Sequence, residues 1–264
     1  MMEQIHLRVL ADRDSFKDQR KANWENGVDY WLKGPLRQVV DVGDYIAERT
    51  IALCRASGQA KPMVVDMGFG DGWLLKALLE RKFALRYVGL DFMRKFVQHA
   101  RAKFADAPDA TFEVADFEVP LGQSYMADVV VNSFNFFELC ELAQPFRNAA
   151  QFLRVGGVLH MSTIDKTYLI LALSDGWDDF MDKLRLYQSL QGTKYAFQPI
   201  DLGNAVSNKL YYPSVLYSSE DFLSAAAESG LALKAYKEHA FTGALVPKIY
   251  CHYEFEKVRG DSCS

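Results

Sequence analysis

The residues of this chain best suited to chemistry are three glycines and three acids. Gly68, Gly70 and Gly72 alternate within Val64-Val65-Asp66-Met67-Gly68-Phe69-Gly70-Asp71-Gly72. An apolar run leads straight into them, and Leu74, Leu75, Leu78 and Leu79 follow at helical spacing, so the glycines join a buried strand to a helix. Glycine is needed where backbone turns tightly and a ligand comes against it, because a side chain would fill the ligand's space. Asp91, with Phe92 beside it, closes the next strand-like run, nineteen residues after Gly72. Asp116 and Phe117 follow the third.

An acid at the end of the second strand of a nucleotide-binding α/β fold accepts hydrogen bonds from ribose hydroxyls. A carboxylate such as Asp116 can accept from an adenine amino group, and a phenyl ring such as Phe117 can pack on the base. Taken singly, Asp91 reads equally well as a helix N-cap and Asp116 better as a solvated loop acid. Taken in register with the glycine loop, they point to a bound adenosine group. The spacing G-x-G-x-G differs from the dinucleotide pattern G-x-G-x-x-G, whose third glycine lies inside the helix and whose helix N-terminus takes a pyrophosphate. Here Asp71 sits in the loop, where it disfavours phosphate and tolerates a cationic sulfonium with an amino-acid tail.

Side chains for acid–base work are sparse. His160 reads as a hydrogen-bonded core residue in mid-strand. His239 and His252 lie in two C-terminal strand-like runs, and Asp165 and Tyr168 follow the fifth strand; these four are the candidate catalytic groups. No G-x-S-x-G elbow supports hydrolase chemistry. The four cysteines have no CxxC or zinc-ligand spacing, so no metal and no disulfide framework is expected. Aromatic residues crowd the regions that should meet beyond the strand ends, among them Trp24, Tyr30, Trp31, Phe134, Phe136 and Tyr168. Such walls suit a small organic acceptor.

These groups are held by alternating elements. Strands are expected near 63–65, 86–90, 111–115, 128–131 and 158–163, with helices between them, which indicates a parallel sheet covered on both faces. Gly156-Gly157 is read as the break after the helical stripe from Leu139 to Leu153. Residues 1–60 form an N-terminal helical segment or lid, polar and mobile to about Lys21, with a helix after Pro35. The main domain spans 61–264. Within it, 164–217 is a cap insertion containing one helix, whose Trp177 stripe reads as core packing, and a turn-rich aromatic stretch. Ser218 and Asp221 open a capped helix. The runs 231–241 and 248–257 form an antiparallel hairpin.

The chain has 264 residues, half of them hydrophobic, with a net charge of −4. That balance supports a sizeable core and speaks against broad nucleic-acid binding. No stretch has signal-peptide or membrane-spanning character, so a cytoplasmic location is expected.

The pattern resembles the class I S-adenosylmethionine-dependent methyltransferase superfamily. Asp66 to Gly72 matches its first motif, Asp91 its second, Asp116-Phe117 its third, and Asp128 to Phe134 its fourth. Leu153 to Thr163, with Arg154-Val155-Gly156-Gly157, matches the entry to its fifth strand. The resemblance implies a Rossmann-like three-layer α/β sandwich whose seven-stranded, mostly parallel sheet closes with the C-terminal hairpin. It implies S-adenosylmethionine as cofactor, held by Asp66, Gly68, Gly70, Gly72, Asp91, Phe92, Asp116, Phe117 and Asn132. Tyr30, Trp31, Phe134, Phe136 and Tyr168 are then the acceptor-side candidates. Asn132-Ser133-Phe134-Asn135 replaces the Asp/Asn-Pro-Pro-Tyr of enzymes that methylate adenine or glutamine amino groups. The acceptor expected is therefore a small molecule methylated at oxygen or nitrogen, with carbon possible. A protein- or RNA-directed enzyme and a non-catalytic cofactor-binding protein are the alternatives.

Overall fold

The computed structural model describes residues 8–10, 13–32, 40–163, 176–189, 195–200, 210–215, 217–241 and 248–258. Its centre is a sheet of seven strands. In chain order the elements are β1 (Arg8–Leu10), α1 (Arg13–Leu32), α2 (Val40–Ala56), β2 (Met63–Met67), α3 (Trp73–Glu80), β3 (Arg86–Asp91), α4 (Arg94–Lys103), β4 (Ala110–Val114) and β5 (Ala127–Ser133). There follow α5 (Ala143–Phe152), β6 (Leu153–Thr163), α6 (Trp177–Ser189), β7 (Tyr195–Ile200), β8 (Leu210–Val215), α7 (Ser219–Glu228), β9 (Leu231–Phe241) and β10 (Lys248–Lys257).

The large sheet has the order β4-β3-β2-β5-β6-β10-β9. The first five strands run parallel, and β10 joins β6 and β9 antiparallel. Valine-rich strands buried on both faces suit this position, since helices cover each side. One face packs α5 and α7 through Phe146, Ala149, Phe222 and Ala225. The other packs α2, α3 and α4 through Ile46, Leu74, Leu78 and Phe96. The result is the expected three-layer α/β sandwich. Strand order reverses between β2 and β5, and ligands of open α/β sheets bind at such a switch point, beyond the carboxyl ends of the strands.

The capping box opens α7 as expected: Asp221 N–H donates to Ser218 Oγ, and Ser218 N–H donates to Asp221 Oδ2 at 2.6 Å. Three expectations change. The N-terminal stretch is helical from Arg13, because Arg20 and Trp24 anchor it. The helix before β6 ends at Phe152, so Gly156 and Gly157 lie inside the strand, where a Cβ on Gly157 would meet the Ala127 carbonyl at 2.7 Å. The Trp177 stripe divides, with Phe180 buried and Trp177 69% exposed.

The aromatic stretch of the insertion also holds more than turns. β7 and β8 pair antiparallel and β1 adds to β7, making a second, three-stranded sheet. Phe16 of α1, Cys140 and Val215 of β8 form a small core that joins these parts to the loop after β5. Asp165 and Tyr168 lie outside the described residues, as do the side chains of Tyr30 and Trp31, whose backbone belongs to α1.

Candidate functional site

The glycine loop turns out of β2 with Gly68, Gly70 and Gly72 all at positive φ, a conformation that excludes most side chains. The three do different things. A Cβ on Gly68 would lie 1.7 Å from the Asn135 amide nitrogen, and one on Gly72 would lie 2.5 Å from the Phe104 ring. Among the described residues, nothing lies within 4 Å of a Cβ on Gly70. Gly68 and Gly72 thus allow the protein to pack on itself, while Gly70 faces open space that a ligand can enter.

The loop is fastened from three sides. Gly68 N–H donates to the Leu90 carbonyl at 2.7 Å, and Gly70 N–H donates to Asp91 Oδ2 at 3.1 Å. Asn135 Nδ2 donates to the carbonyls of Met67 and Gly68 at 2.9 and 3.1 Å. Asp71 accepts from the Trp73 N–H, and Lys103 Nζ donates to the Asp71 carbonyl. Asn135 was not singled out from the sequence; its signal was the repeated asparagine three residues after Asn132 at the end of a buried strand.

Asp91 is buried at the end of β3, and its Oδ1 accepts from the Met93 N–H at 2.9 Å. The N-cap of α4 is Met93 and not Asp91, whose carboxylate instead braces the turn into α4 and ties that turn to the glycine loop. Burial pushes the Asp91 carboxyl up to about 6, against the two backbone donors that favour its ionised form. Asp66 is buried beneath the loop and accepts from the Tyr87 hydroxyl at 2.5 Å. Burial pushes it up to about 7, opposed by the Tyr87 hydrogen bond and assisted by the charges of Asp91 and Asp71.

The remaining cofactor candidates divide. Asp116 is exposed beyond β4, its Oδ1 accepting from the Glu118 N–H at 2.9 Å. Phe92 is half-buried, 5.7 Å below the Arg20 guanidinium. Phe117 instead lies in the core beside α5, and Asn132 is buried, its Nδ2 donating to the Met67 carbonyl at 3.0 Å. Of the acceptor candidates, Phe136 is core, edge-on to Phe146 at 5.2 Å. Phe134 stays half-buried at the tip of β5 with φ 63°, a conformation strained for an aromatic residue and held by its N–H bond to the Ser162 carbonyl.

α1 crosses the same strand ends. Arg20 donates to Glu118 Oε2 at 2.7 Å and to the Glu138 carbonyl at 2.8 Å, and Trp24 Nε1 donates to Glu138 Oε2 at 2.9 Å. Glu118 also accepts from the Cys140 N–H and lies 3.8 Å from Lys17 Nζ. The helix is thereby bolted to the loops after β4 and β5. Nothing in the sequence pattern had pointed to Arg20, Glu118 or Glu138.

Three histidines gather towards the β6–β10–β9 edge of the sheet. His160 and His252 are buried side by side on β6 and β10, and half-exposed His239 lies on β9. His252 Nδ1 is 2.8 Å from Ser162 Oγ. His160 is a core residue as expected, yet neither of its ring nitrogens has a hydrogen-bond partner among the described residues.

An acid-braced glycine loop at a switch point can receive an adenosine group, with Asp91 accepting from its hydroxyls and Gly70 admitting the chain attached to it. Similarity to other proteins agrees with this geometry. Residues 64–157 match a family described as a methyltransferase domain. The chain is 26% identical over 219 residues to an mRNA cap guanine-N(7) methyltransferase of Cryptococcus neoformans, covering 72% of this chain and 30% of the relative. It is 31% identical over 101 residues to a malonyl-[acyl-carrier protein] O-methyltransferase of Acetivibrio thermocellus, covering 38% of this chain and 35% of the relative. The chain thus spans about a third of the length of these curated relatives. Among solved structures, the CcbJ methyltransferase of Streptomyces caelestis superposes with a TM-score of 0.60 at 18% identity, over 82% of this chain and 90% of that one. A methyltransferase of Haloferax volcanii in complex with the activator Trm112 superposes with a TM-score of 0.56 at 16% identity, over 95% and 99%. The glycine loop and Asp91 both fall within the matched methyltransferase domain, and the strand order of the chain is the Rossmann-like fold of these S-adenosylmethionine-dependent methyltransferase structures.

Proposed function

We propose that the chain transfers a methyl group from S-adenosylmethionine to an oxygen or nitrogen of a small-molecule acceptor. The observation that carries this is the unit formed by Gly70 and Asp91. Its one open glycine leaves room for a ligand beside a buried carboxylate that still has acceptor capacity. When bound, S-adenosylmethionine supplies an electrophilic methyl group on a sulfonium. Asp91 holds the ribose hydroxyls, Gly70 admits the methionine portion, and Asp116 receives the adenine amino group. Asp66 adds negative charge beneath the loop, which favours a sulfonium over a phosphate.

On the acceptor side, Phe134 and Tyr250 stand edge to face at 5.0 Å. Residues 164–217 serve as a cap, and α1 serves as a wall that excludes water through its Arg20 and Trp24 anchors. Positioning and dryness supply much of the acceleration in such transfers.

The cap guanine relative favours a second reading, in which the acceptor is an RNA base nitrogen. The net charge of −4 supports the small-molecule reading. Calorimetry with S-adenosylhomocysteine tests the cofactor site: micromolar binding is expected, and no binding would sink the proposal. Transfer of labelled methyl to a metabolite panel but not to capped RNA is the outcome expected for the acceptor. Tight cofactor binding without turnover on either would leave a non-catalytic binding protein.

A further inference from the structure

The face of β5, β6 and β10 beneath α2 carries an unusual concentration of buried polar atoms without partners among the described residues. Both nitrogens of His160, Nε2 of His252 and Ser133 Oγ are buried there and unbonded among the described residues. Most buried polar atoms in proteins have a partner, and each one left without costs about 1–3 kcal/mol. Several such atoms on one face of three neighbouring strands call for something that supplies hydrogen bonds there. Ser133, Ser162 and His252 lie in one row of the sheet, since Ser133 pairs with Ser162 and Ser162 with His252.

The surroundings define what fits. Phe134 N–H is bonded to the Ser162 carbonyl, and the Phe134 ring meets Tyr250, two residues before His252. The Tyr45 ring lies 4.6 Å from the His252 ring. The cluster therefore adjoins the aromatic part of the acceptor region. Among the described residues, the charged and titratable groups facing His252 come from four elements. Tyr45 and Arg49 come from α2, His160 from β6, Lys237 and His239 from β9, and Tyr250 and Glu254 from β10. Arg49 and Glu254 neutralise each other in a bidentate pair, and Lys237 Nζ sits 4.4 Å over the Tyr45 ring.

We propose that His252, oriented by Ser162, receives the hydroxyl of a planar aromatic acceptor and takes its proton during methyl transfer. This deepens the methyl-transfer reading and rests on it. In the tautomer with hydrogen on Nδ1, that nitrogen donates to Ser162 Oγ and the lone pair on Nε2 is free, the arrangement of a base held by a third group. As the acceptor oxygen bonds to the methyl carbon, the carbon–sulfur bond breaks with its electron pair left on sulfur. The acceptor O–H bond breaks, its electrons stay on oxygen and its proton moves to Nε2. Burial, and then the positive charges of its neighbours, hold the His252 imidazole down at about 3, so the lone pair is available at neutral pH and the proton does not stay. Half-exposed His239, 6.2 Å away ring to ring, offers it the way to solvent.

The test uses the full chain labelled with 15N-histidine, saturated with S-adenosylhomocysteine, and phenol as the probe. Phenol should move the Nε2 resonance of His252, and His252→Gln should weaken phenol binding about tenfold. Ser162→Ala, which removes only the orienting hydroxyl, should mix the two tautomers in the NMR spectrum before any probe is added. If S-adenosylhomocysteine binds but phenol leaves the imidazoles unchanged, as ordered water alone would, the base assignment is overturned and the methyltransferase reading stands. Equal phenol affinity in folded His252→Gln overturns it as well. Failure to bind S-adenosylhomocysteine overturns both.

Discussion

The Gly70 N–H donates to the Asp91 carboxylate at 3.1 Å, so the loop after β2 and the acid at the end of β3 form one mechanical unit. Asp91→Ala removes that brace together with the proposed ribose acceptor. Affinity for S-adenosylhomocysteine should fall tenfold or more, because charged hydrogen bonds contribute roughly 1.5–3 kcal/mol each. A residue serving only as a cap would instead lose about 1 kcal/mol of stability and keep its affinity. Titration and melting of one sample separate the two.

The three loop glycines should respond differently to alanine. Gly68→Ala drives a methyl group into the Asn135 amide and should lower the melting temperature. Gly70→Ala meets no atom and carries only the strain of φ 56°, so the fold should survive with a loss of about 1–2 kcal/mol. Gly70→Val should nonetheless abolish binding of S-adenosylhomocysteine. Calorimetry showing full affinity in folded Gly70→Val would mean that the open space is not the cofactor's.

Cofactor affinity should depend on pH through the buried acids. Hydrogen bonds from a ligand to Asp91 favour its ionised form, whose carboxyl sits at about 6 in the free protein. Binding then releases a proton below that pH, and the affinity for S-adenosylhomocysteine should rise by up to about tenfold per unit as pH increases towards 6. The sulfonium of S-adenosylmethionine also favours ionised Asp66, which sits at about 7, so its affinity should keep rising towards 7. Calorimetry from pH 5 to 8 checks both; parallel curves for the two ligands would remove Asp66 from the account.

Stability should carry two opposed pH dependences. Raised carboxyls bind protons more tightly in the folded state, so Asp66 and Asp91 lose stability as pH rises from the unfolded value near 4 to about 6–7. His160 and His252 are pushed down to about 3, so the neutral forms stabilise the fold above the unfolded value near 6.5, and that contribution is lost as pH falls towards 3. His160→Leu should therefore flatten the acid side of the stability curve. Urea melts at pH 4, 5.5 and 7 would show it, and an unchanged acid limb would count against a buried neutral His160.

The α1 anchor should be strongly destabilising when broken on one side. Arg20→Met leaves Glu118 buried with Lys17, at 3.8 Å, as the one cation beside it among the described residues. A loss of about 3 kcal/mol is expected, and Arg20→Met with Glu118→Gln should recover part of it. Equal losses in the single and double variants would show that the pair itself adds nothing.

Much of the fold was legible in the chain because its signals are local. Valine runs, the alternating glycines and helical leucine spacing announce β2, β3, β5 and the helices between them, and the Ser218–Asp221 box announces α7. Asp91 was legible for the same reason, since its distance from Gly72 is set by one helix and one strand. What the sequence left open depends on contacts between distant segments. Arg20 and Glu118 stand 98 residues apart, and no periodicity reports that one will bury the other. Likewise Ser162 and His252, 90 residues apart, meet only because β6 and β10 pair in that register. A one-residue slip would send His252 to the opposite face. The sequence thus determined most elements of the large sheet and where its glycine loop lies. Long-range pairing and docking, whose free energy belongs to the assembled sheet and not to any single segment, decided which side chains share a site.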